Sequence, residues 1–401
     1  MAASPERSGS PISVWHAAFS GLCASLVGLG LARFAYTPLI PALISAHWFT
    51  HSEAAYLGAA NLAGYLAGAL LGRMKTRWAH AGFVLRAMML LTAASMFACA
   101  LKDFGFAWAT LWRFVAGYAG GAIIVLAAPA VLAATPRERR GLVGGAIFAG
   151  VGLGVVASGT FVPFLLDAGG PAGAWIGLGA LSLLLSLAAW NGWPRQVTVT
   201  DGNKRAPKTR MGARVAALFV EYGLNAAGLV PHMIFFVVFI AHGLGRGLDF
   251  GATCWILFGI GATIGPPLTG RIADRIGFGP ALRLALLVQI AAVALPVFAT
   301  GPIWLMVSGF LVGGLMLGIV GLVLGRIHEL IHDEATQGRA WGYATTAFAI
   351  GQAIAAYGYT YLYDVTESYA LLFGLGAIAI TAALALDVAA GVTDPARRSE
   401  A

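Results

Sequence analysis

Long apolar stretches alternate with short polar segments along nearly the whole chain. Windows of about 20 apolar residues are long enough to cross a bilayer as a helix, and they predict twelve spans. Their approximate limits are 14–46, 52–72, 80–101, 104–134, 141–166, 172–192, 213–242, 249–270, 280–300, 302–327, 339–363 and 368–390. The pattern therefore predicts an all-α membrane protein with twelve transmembrane helices.

One polar stretch is longer than the others and predicts a linker. Residues 193–212 contain five basic residues among Pro, Thr, Asn and Gly. We therefore expect an N-terminal tail, a first six-helix bundle, the linker, a second six-helix bundle and a C-terminal tail. These segments are 1–13, 14–192, 193–212, 213–390 and 391–401.

The two predicted bundles share an internal repeat. The segment from Gly270 to Gly277, a short charged turn between two apolar spans, has a partial copy that begins at Gly72. Arg140, Gly152 and Gly159 likewise recur about 199 residues later as Arg339, Gly351 and Gly358. A repeat of this length indicates two homologous halves with pseudo-symmetric bundles.

The composition agrees with a chain that lies in a bilayer. Hydrophobic residues make up 59% of the 401 and charged residues only 10%, against about 25% charged in soluble domains. The net charge of +8 comes from basic residues in short loops, which is typical of membrane topology and not of nucleic-acid binding. The three cysteines lie in separate apolar spans and predict no disulfide framework.

The distribution of Lys and Arg predicts the orientation. Nearly all of them fall in alternate loops, together with both tails, if the N-terminus is cytoplasmic. We therefore expect cytoplasmic N- and C-termini in a multi-pass protein of a bacterial inner (plasma) membrane.

Two motifs resemble those of a known family, the major facilitator superfamily. The turn between the eighth and ninth spans resembles its signature loop, and the fourth span resembles its second motif, an Arg followed by small residues at every fourth position. The residues that carry the resemblance are Gly270, Asp274, Arg275 and Gly277 in the loop and Arg113, Gly117 and Gly121 in the span.

Residues 28–41 and 56–68 are similar to the uncharacterised YbfB/YjiJ branch of that superfamily. The resemblance covers the whole chain and implies transport by alternating access. Two departures qualify it. Thr76 stands where the first half of the family usually keeps an Asp, and the fifth span lacks the Gly-Pro pair of proton-coupled drug antiporters.

Three ionisable side chains fall inside predicted spans, where an unpaired charge costs several kcal/mol. Arg33 and Arg113 lie in the outer halves of the first and fourth spans, and Glu221 lies near the middle of the seventh. Each has two interpretations. Arg33 either binds substrate or reaches outward to the interface, Arg113 either binds substrate or braces helices, and Glu221 either couples protons or forms a static salt bridge.

Glu221, Asn225, Gly228 and His232 follow one another at helical spacing and predict a polar stripe on one helix face. We expect this stripe to face a cavity, with Glu221 and His232 in proton coupling.

The expected substrate-binding residues are Arg33, Arg113, Tyr36, Asn61, Asn225 and Gln352, although the amides are as readily explained by contacts between helices. The expected gating residues are Gly270, Asp274, Arg275, Gly277 and Arg140, with Asp274 near Arg140 at the start of the fifth span.

His328, Glu329 and His332 match the HExxH pattern of zinc proteases. The pattern lies at the cytoplasmic end of the tenth span, where the repeat places an ordinary charged loop, and no third ligand follows on the same side. We therefore keep a membrane zinc protease only as a remote alternative and expect neither an enzyme nor a metal site.

The sequence predicts a secondary transporter of a small organic solute, with an organic anion favoured because Arg binds planar carboxylates through two parallel hydrogen bonds. We expect protons as the coupling ion, no cofactor, no nucleic-acid partner and a monomer in the bilayer. The alternative is an exporter of neutral or cationic compounds, in which Glu221 binds the cargo.

Overall fold

Helices dominate the computed structural model, which describes residues 13–75, 80–194 and 212–392. Within these ranges the chain forms helices and turns and no strand. We number the long helices α1 Val14–Ser45, α2 His51–Lys75, α3 Ala81–Cys99, α4 Gly105–Ala133, α5 Arg140–Ala188, α6 Ala213–Gly243, α7 Gly247–Ile276, α8 Phe278–Phe298, α9 Pro302–Leu330, α10 Glu334–Thr366 and α11 Tyr369–Val392.

Ten of these helices are long and apolar enough to cross a membrane. α5 is a special case, because its 49 residues contain non-helical backbone at Gly169 and Gly170. Gly170 has φ of +60°, a conformation that Gly adopts without the steric penalty of a Cβ. α10 is not among the ten candidates although it has 33 residues. The all-helical membrane class is thus confirmed, while the count of twelve crossings remains a prediction.

The interior of each half is built on close contacts between helix backbones. α2 packs along α4, and a Cβ placed on Gly117 would lie 1.9 Å from the carbonyl oxygen of Asn61. α7 packs along α9 in the same way, and a Cβ on Gly313 would lie 2.0 Å from the carbonyl oxygen of Phe258. Small residues allow this approach in membrane helices, where packing replaces the hydrophobic drive of water.

We refer to α1–α5 as the first half and to α6–α11 as the second half. α1 packs on α5 in the first half, and α6 packs on α10 in the second. Between the halves, α5 contacts α7 and α2 contacts α10. Large apolar side chains such as Phe164 and Ile354 remain exposed on the outside of the helices, as expected of surfaces that face lipid.

The contacts between the halves concentrate at one end of the molecule, which we call the closed end. There Ser52 of α2 donates to Asp364 of α10, and the rings of His51 and His242 lie 5.6 Å apart. At the opposite end of α5 and α7, a Cβ added at Gly145 or Gly270 would meet no atom within 4 Å. Among the described residues, the side-chain contacts between the halves named here lie at the closed end.

Several predicted features lie outside the described residues. These are Thr76, both tails beyond Ser13 and Val392, and residues 195–211 of the expected linker.

Candidate functional site

Arg33 lies where the two halves meet, on a segment of α1 with π-helical geometry. This segment, Leu26–Phe34, closes with the amide of Ala35 donating to the carbonyl oxygen of Gly30. π-helical turns are rare and occur mostly at functional sites. The corresponding helix of the second half, α6, also contains π-helical segments, at Pro231–Phe235 and Phe239–Gly243.

The guanidinium of Arg33 crosses from the first half to the second. Its Nη2 donates to Gln352 Oε1 of α10 at 2.8 Å and contacts Met233 Sδ of α6 at 3.5 Å. Its carbon Cζ lies 5.2 Å from the ring centre of Tyr65. Arg33 is only 9% exposed, and its Nε has no hydrogen-bond partner among the described residues. A buried donor without a partner marks a place where a ligand or water gains a hydrogen bond.

Arg113 has a different environment, inside the first half. Its Nη1 donates to the carbonyl oxygen of Ala32 at 2.7 Å, and its Cζ lies 4.2 Å from the ring centre of Tyr36. Asn61 Nδ2 donates to the carbonyl oxygen of Arg113 at 3.1 Å and reaches that of Ala32 at 3.4 Å. Three of the expected substrate-binding residues, Arg113, Asn61 and Tyr36, therefore surround the π-helical segment that carries Arg33.

No carboxylate neutralises either of these arginines within the described part of the chain. The ion pairs found there join Arg283 to Asp387 and Arg326 to Glu329, all in the second half. Arg33 therefore brings a buried positive charge to the contact between the halves, and Arg113 adds a second one inside the first half.

The polar stripe on α6 faces its own half and not the space between the halves. Asn225 Nδ2 donates to Gln289 Oε1 of α8, and His232 Nε2 lies 2.8 Å from Ser308 Oγ of α9. A Cβ on Gly228 would meet Ile380 and Gly376 of α11. Our expectation that the stripe faces a cavity is therefore corrected: hydrogen bonds to neighbouring helices hold Asn225 and His232 away from Arg33. The helical spacing predicts that these residues share one face of α6, but it does not predict which helices cover that face.

Glu221 is buried on the same face, with charged neighbours from three helices. The groups whose charges act on it are Asp387 of α11, Arg326 of α9 and Arg283 of α8. Its Oε1 has no hydrogen-bond partner within the described residues. No ion pair of Glu221 is found within the described residues, so the static salt bridge, one of its two interpretations, is not formed in this conformation.

The expected gating residues lie at the end opposite the closed end. Gly270, Asp274 and Arg275 belong to the last turns of α7, and Gly277 ends that helix with φ of +83°. Arg140 begins α5 and its Nε donates to the carbonyl oxygen of Thr135. Asp274 and Arg140 are both exposed, and no ion pair joins them in the described part of the structure. The predicted contact is not formed in this conformation.

Glu329 of the HExxH pattern has a structural role. It accepts from the backbone amide of Phe278 at 2.9 Å, which is the first residue of α8, and from Arg326 Nη1 at 2.6 Å. A carboxylate in this position stabilises the positive end of a helix dipole. Among the described residues no three His, Cys, Asp or Glu side chains are grouped as a metal site would require.

Sequence reasoning did not identify two residues, one beside Arg33 and one in the surroundings of Glu221. Met233 contributes its sulfur to Arg33 and its carbonyl oxygen to Thr37 Oγ1, and the Asp387 carboxylate faces Arg283 beneath Glu221. Methionine carries no polarity signal in an apolar span. Asp387 lies near the end of the last predicted span, where a charge is ordinary.

Comparisons with known proteins agree with this architecture. The sequence model of the family described as "Uncharacterised MFS-type transporter YbfB" matches residues 25–388. The chain is 24% identical over 356 residues to the chloramphenicol resistance protein of Streptomyces lividans, an alignment that covers 83% of this chain and 85% of that protein.

Among solved structures, a mutant form of the nucleoside transporter NupG has a similar fold. The TM-score is 0.75 at 14% sequence identity, and the superposition covers 93% of this chain and 99% of that one. At this identity the similarity concerns the fold alone.

Proposed function

Because the chain belongs to the YbfB-type family of major facilitator superfamily transporters, we propose that it is a secondary active transporter of a small organic anion, coupled to protons. Membrane transport of a small molecule follows from the family. The anionic cargo and the protons are our own proposals. The single observation that supports the anion best is the buried Arg33 guanidinium, which joins the two halves and has no carboxylate partner among the described residues.

The proposed topology has twelve crossings. α5 crosses twice, because its non-helical backbone at Gly169 and Gly170 allows the chain to reverse, and α10 crosses once with 33 residues. A helix of that length spans about 50 Å, more than the bilayer requires. The two bundles are then residues 14–192 and 213–390, with both tails in the cytoplasm of a bacterial cell, and we propose that the protein is monomeric in the inner membrane.

With this orientation the closed end is the outer one. The Ser52 to Asp364 hydrogen bond then closes the outer end, and we propose that the Arg33 site is reached from the cytoplasm. Alternating access requires the halves to separate at the outer end and to join at the inner end, where Asp274 and Arg140 would come together. The present conformation therefore corresponds to an inward-facing state.

The proposed cargo bridges the two halves through Arg33 and Gln352. A carboxylate of the cargo that reaches the guanidinium accepts hydrogen bonds from N–H groups of Arg33 that have no protein partner. Gln352 offers its amide to a second polar group of the cargo. Met233 and Tyr65 border the same position and suit an apolar or aromatic portion of the cargo. We propose that Arg113, Asn61 and Tyr36 act mainly by holding the Arg33 segment in place.

A transport screen with purified protein in proteoliposomes tests the proposal. A panel of radiolabelled monocarboxylates, dicarboxylates and aromatic acids is offered with an imposed pH gradient. We expect saturable uptake of at least one acid, loss of that uptake in Arg33→Ala, and little recovery in Arg33→Lys, because an ammonium lacks the planar pair of donors. Arg246→Ala, in the turn between α6 and α7, is the matched control and should transport normally.

A second candidate function is export of neutral or cationic compounds. The observation that favours it is the similarity to the chloramphenicol resistance protein, and the fold similarity includes a nucleoside transporter. Chloramphenicol and nucleosides therefore belong in the same screen. Uptake of either compound, unchanged by Arg33→Ala, would favour this candidate over the anion transporter.

A further inference from the structure

The second half contains a series of buried polar side chains along α6 that none of the anion contacts uses. We call it the polar column. It consists of Glu221, Asn225 and His232 of α6, Gln289 of α8 and Ser308 of α9, with the Arg283 to Asp387 ion pair at one end.

The column follows the axis of α6. From Glu221 to His232 is eleven residues, which corresponds to about 16 Å of helix and half of a bilayer core. Gln289 lies between the ends, and Ser308 continues the series by donating to the carbonyl oxygen of Ala292 at 2.7 Å. Glu221, Asn225, Gln289, His232 and Ser308 are each no more than 2% exposed.

Four side chains of the column, all except Ser308 and the ion pair, contain an unsatisfied polar atom. Within the described residues, no partner is found for Glu221 Oε1, Asn225 Oδ1, Gln289 Nε2 or His232 Nδ1. Buried polar groups are nearly always hydrogen-bonded, and each one that is not costs about 1–3 kcal/mol. Water can satisfy all four atoms, whereas a proton can do so only at Glu221 Oε1 or His232 Nδ1. A protonated Glu221 would donate a hydrogen bond and so remove one of these costs.

The two ends of the column differ. At the inner end Asp387 is 7% exposed, and the side chain of its partner Arg283 is 34% exposed. At the outer end the ring of His232 packs against Phe236 and Phe373, at 4.7 and 5.0 Å between ring centres. Phe239, Ile240 and Leu305 continue this apolar cover. The column is therefore more exposed at its inner end, whereas apolar side chains cover its outer end.

We propose that the polar column is a proton-binding site with Glu221 as the acceptor, reached from the cytoplasm past Asp387 and separate from the Arg33 site. The inference rests on the proposed proton coupling and gives it a location. A proton passes from a hydronium ion at the inner surface to the Glu221 carboxylate, which becomes a carboxylic acid and leaves a water molecule behind. Asn225 and Gln289 orient water between Glu221 and His232.

The charges around Glu221 suit a proton that is bound and released. Asp387 repels a second negative charge, whereas Arg283 and Arg326 attract it, so small movements of α8, α9 or α11 change the balance. A metal cation suits the column less well, because such ions require several oxygen ligands, and Glu221 and Asn225 provide the two side-chain oxygens left without partners.

Infrared difference spectroscopy of the purified protein in lipid tests the proposal without substrate or gradient. We expect a protonated-carboxyl band that titrates with pH and is absent from Glu221→Gln.

Gln289→Leu removes one polar side chain of the column. It should shift the midpoint pH of that titration by about one unit or more. Asp387→Asn should slow hydrogen–deuterium exchange of the protonated carboxyl group about tenfold in deuterated water, because the proposed proton path begins at Asp387.

The matched control is Glu53→Gln, which removes a carboxylate that accepts from Thr50 near the closed end and should leave the band intact. The proposal is overturned if the band persists in Glu221→Gln, or if neither Gln289→Leu nor Asp387→Asn changes its behaviour. Loss of the band on replacing potassium with sodium would assign the site to a metal cation instead. If Glu221→Gln does not fold, the Gln289→Leu titration decides alone. Because no cargo is present, failure of the transport screen would leave this result unaffected.

Discussion

The two buried arginines differ in what their guanidinium groups contact. Arg33 reaches side chains of the other half, whereas Arg113 binds the backbone of its own half through the carbonyl oxygen of Ala32. A π-helical turn displaces its carbonyls from the regular helical pattern, and Arg113 with Asn61 supplies donors to one of them. This difference predicts that loss of Arg113 reduces stability first and that loss of Arg33 reduces transport first.

Arg113→Ala should lower the free energy of unfolding by about 2 kcal/mol, because a charged hydrogen bond to a buried carbonyl is lost. Arg113→Lys should recover part of it, since a single donor still reaches Ala32. Thermal unfolding in detergent, followed by size-exclusion chromatography, measures both. Arg33→Ala is the comparison variant and should unfold near the wild-type temperature. Unchanged stability in Arg113→Ala would assign Arg113 to the cargo.

At the residue scale, the sequence could identify the chemistry but not the neighbours. It singled out Arg33, Gln352 and Glu221 by their polarity within apolar spans, and the structure brings Arg33 and Gln352 together. It could not assign Glu221 to the interior of one half, because helical periodicity defines a face without saying which helix covers it. Met233 was missed because its contact with Arg33 depends on the relative position of two helices far apart in sequence.

Among the helices, the contact of α2 with α4 depends on glycine. A methyl group at Gly117 would overlap the Asn61 carbonyl, so the helices would have to separate. Gly117→Ala should therefore destabilise the first half by about 1–3 kcal/mol, the usual cost of overpacking. Gly374→Ala in α11, where the same methyl meets no atom within 4 Å, should change stability by less than about 0.5 kcal/mol.

The fraction of protein recovered as a monodisperse peak after heating measures both glycine variants. Equal recovery of Gly117→Ala and Gly374→Ala would contradict the close contact of α2 and α4.

At the element scale, the apolar windows located the helices well, because the length of each span is set by the bilayer. The windows did not reveal the π-helical segments of α1 and α6, since a π turn depends on tertiary contacts and leaves no periodic signal. The repeat of charged loops predicted two bundles, and that division stays a prediction beside the observed packing of α1 on α5 and of α6 on α10.

For the whole molecule, alternating access predicts that the two ends close in turn. Cysteines at 52 and 364 should crosslink on oxidation, because the native side chains are hydrogen-bonded, and this crosslink should stop transport until a reductant is added. Cysteines at 140 and 274 should crosslink only while the outer end is free to open. The native Cys23, Cys99 and Cys254 are buried and free, and Ser52→Cys alone serves as the control.

Gel mobility after cleavage between the halves reports each crosslink, and uptake of the acid found in the transport screen reports activity. Formation of the 140 to 274 crosslink in protein already locked at 52 and 364 would contradict alternating access.

The central claim is that cargo and proton occupy separate sites, Arg33 between the halves and Glu221 inside the second half. One comparison in proteoliposomes tests it most directly, with accumulation driven by a pH gradient and exchange at equal pH measured for the same acid. Glu221→Gln should abolish accumulation and keep exchange, because its amide imitates the protonated acid, whereas Arg33→Ala should lose both. Accumulation by Glu221→Gln in response to the gradient, or normal exchange by Arg33→Ala, would contradict the account.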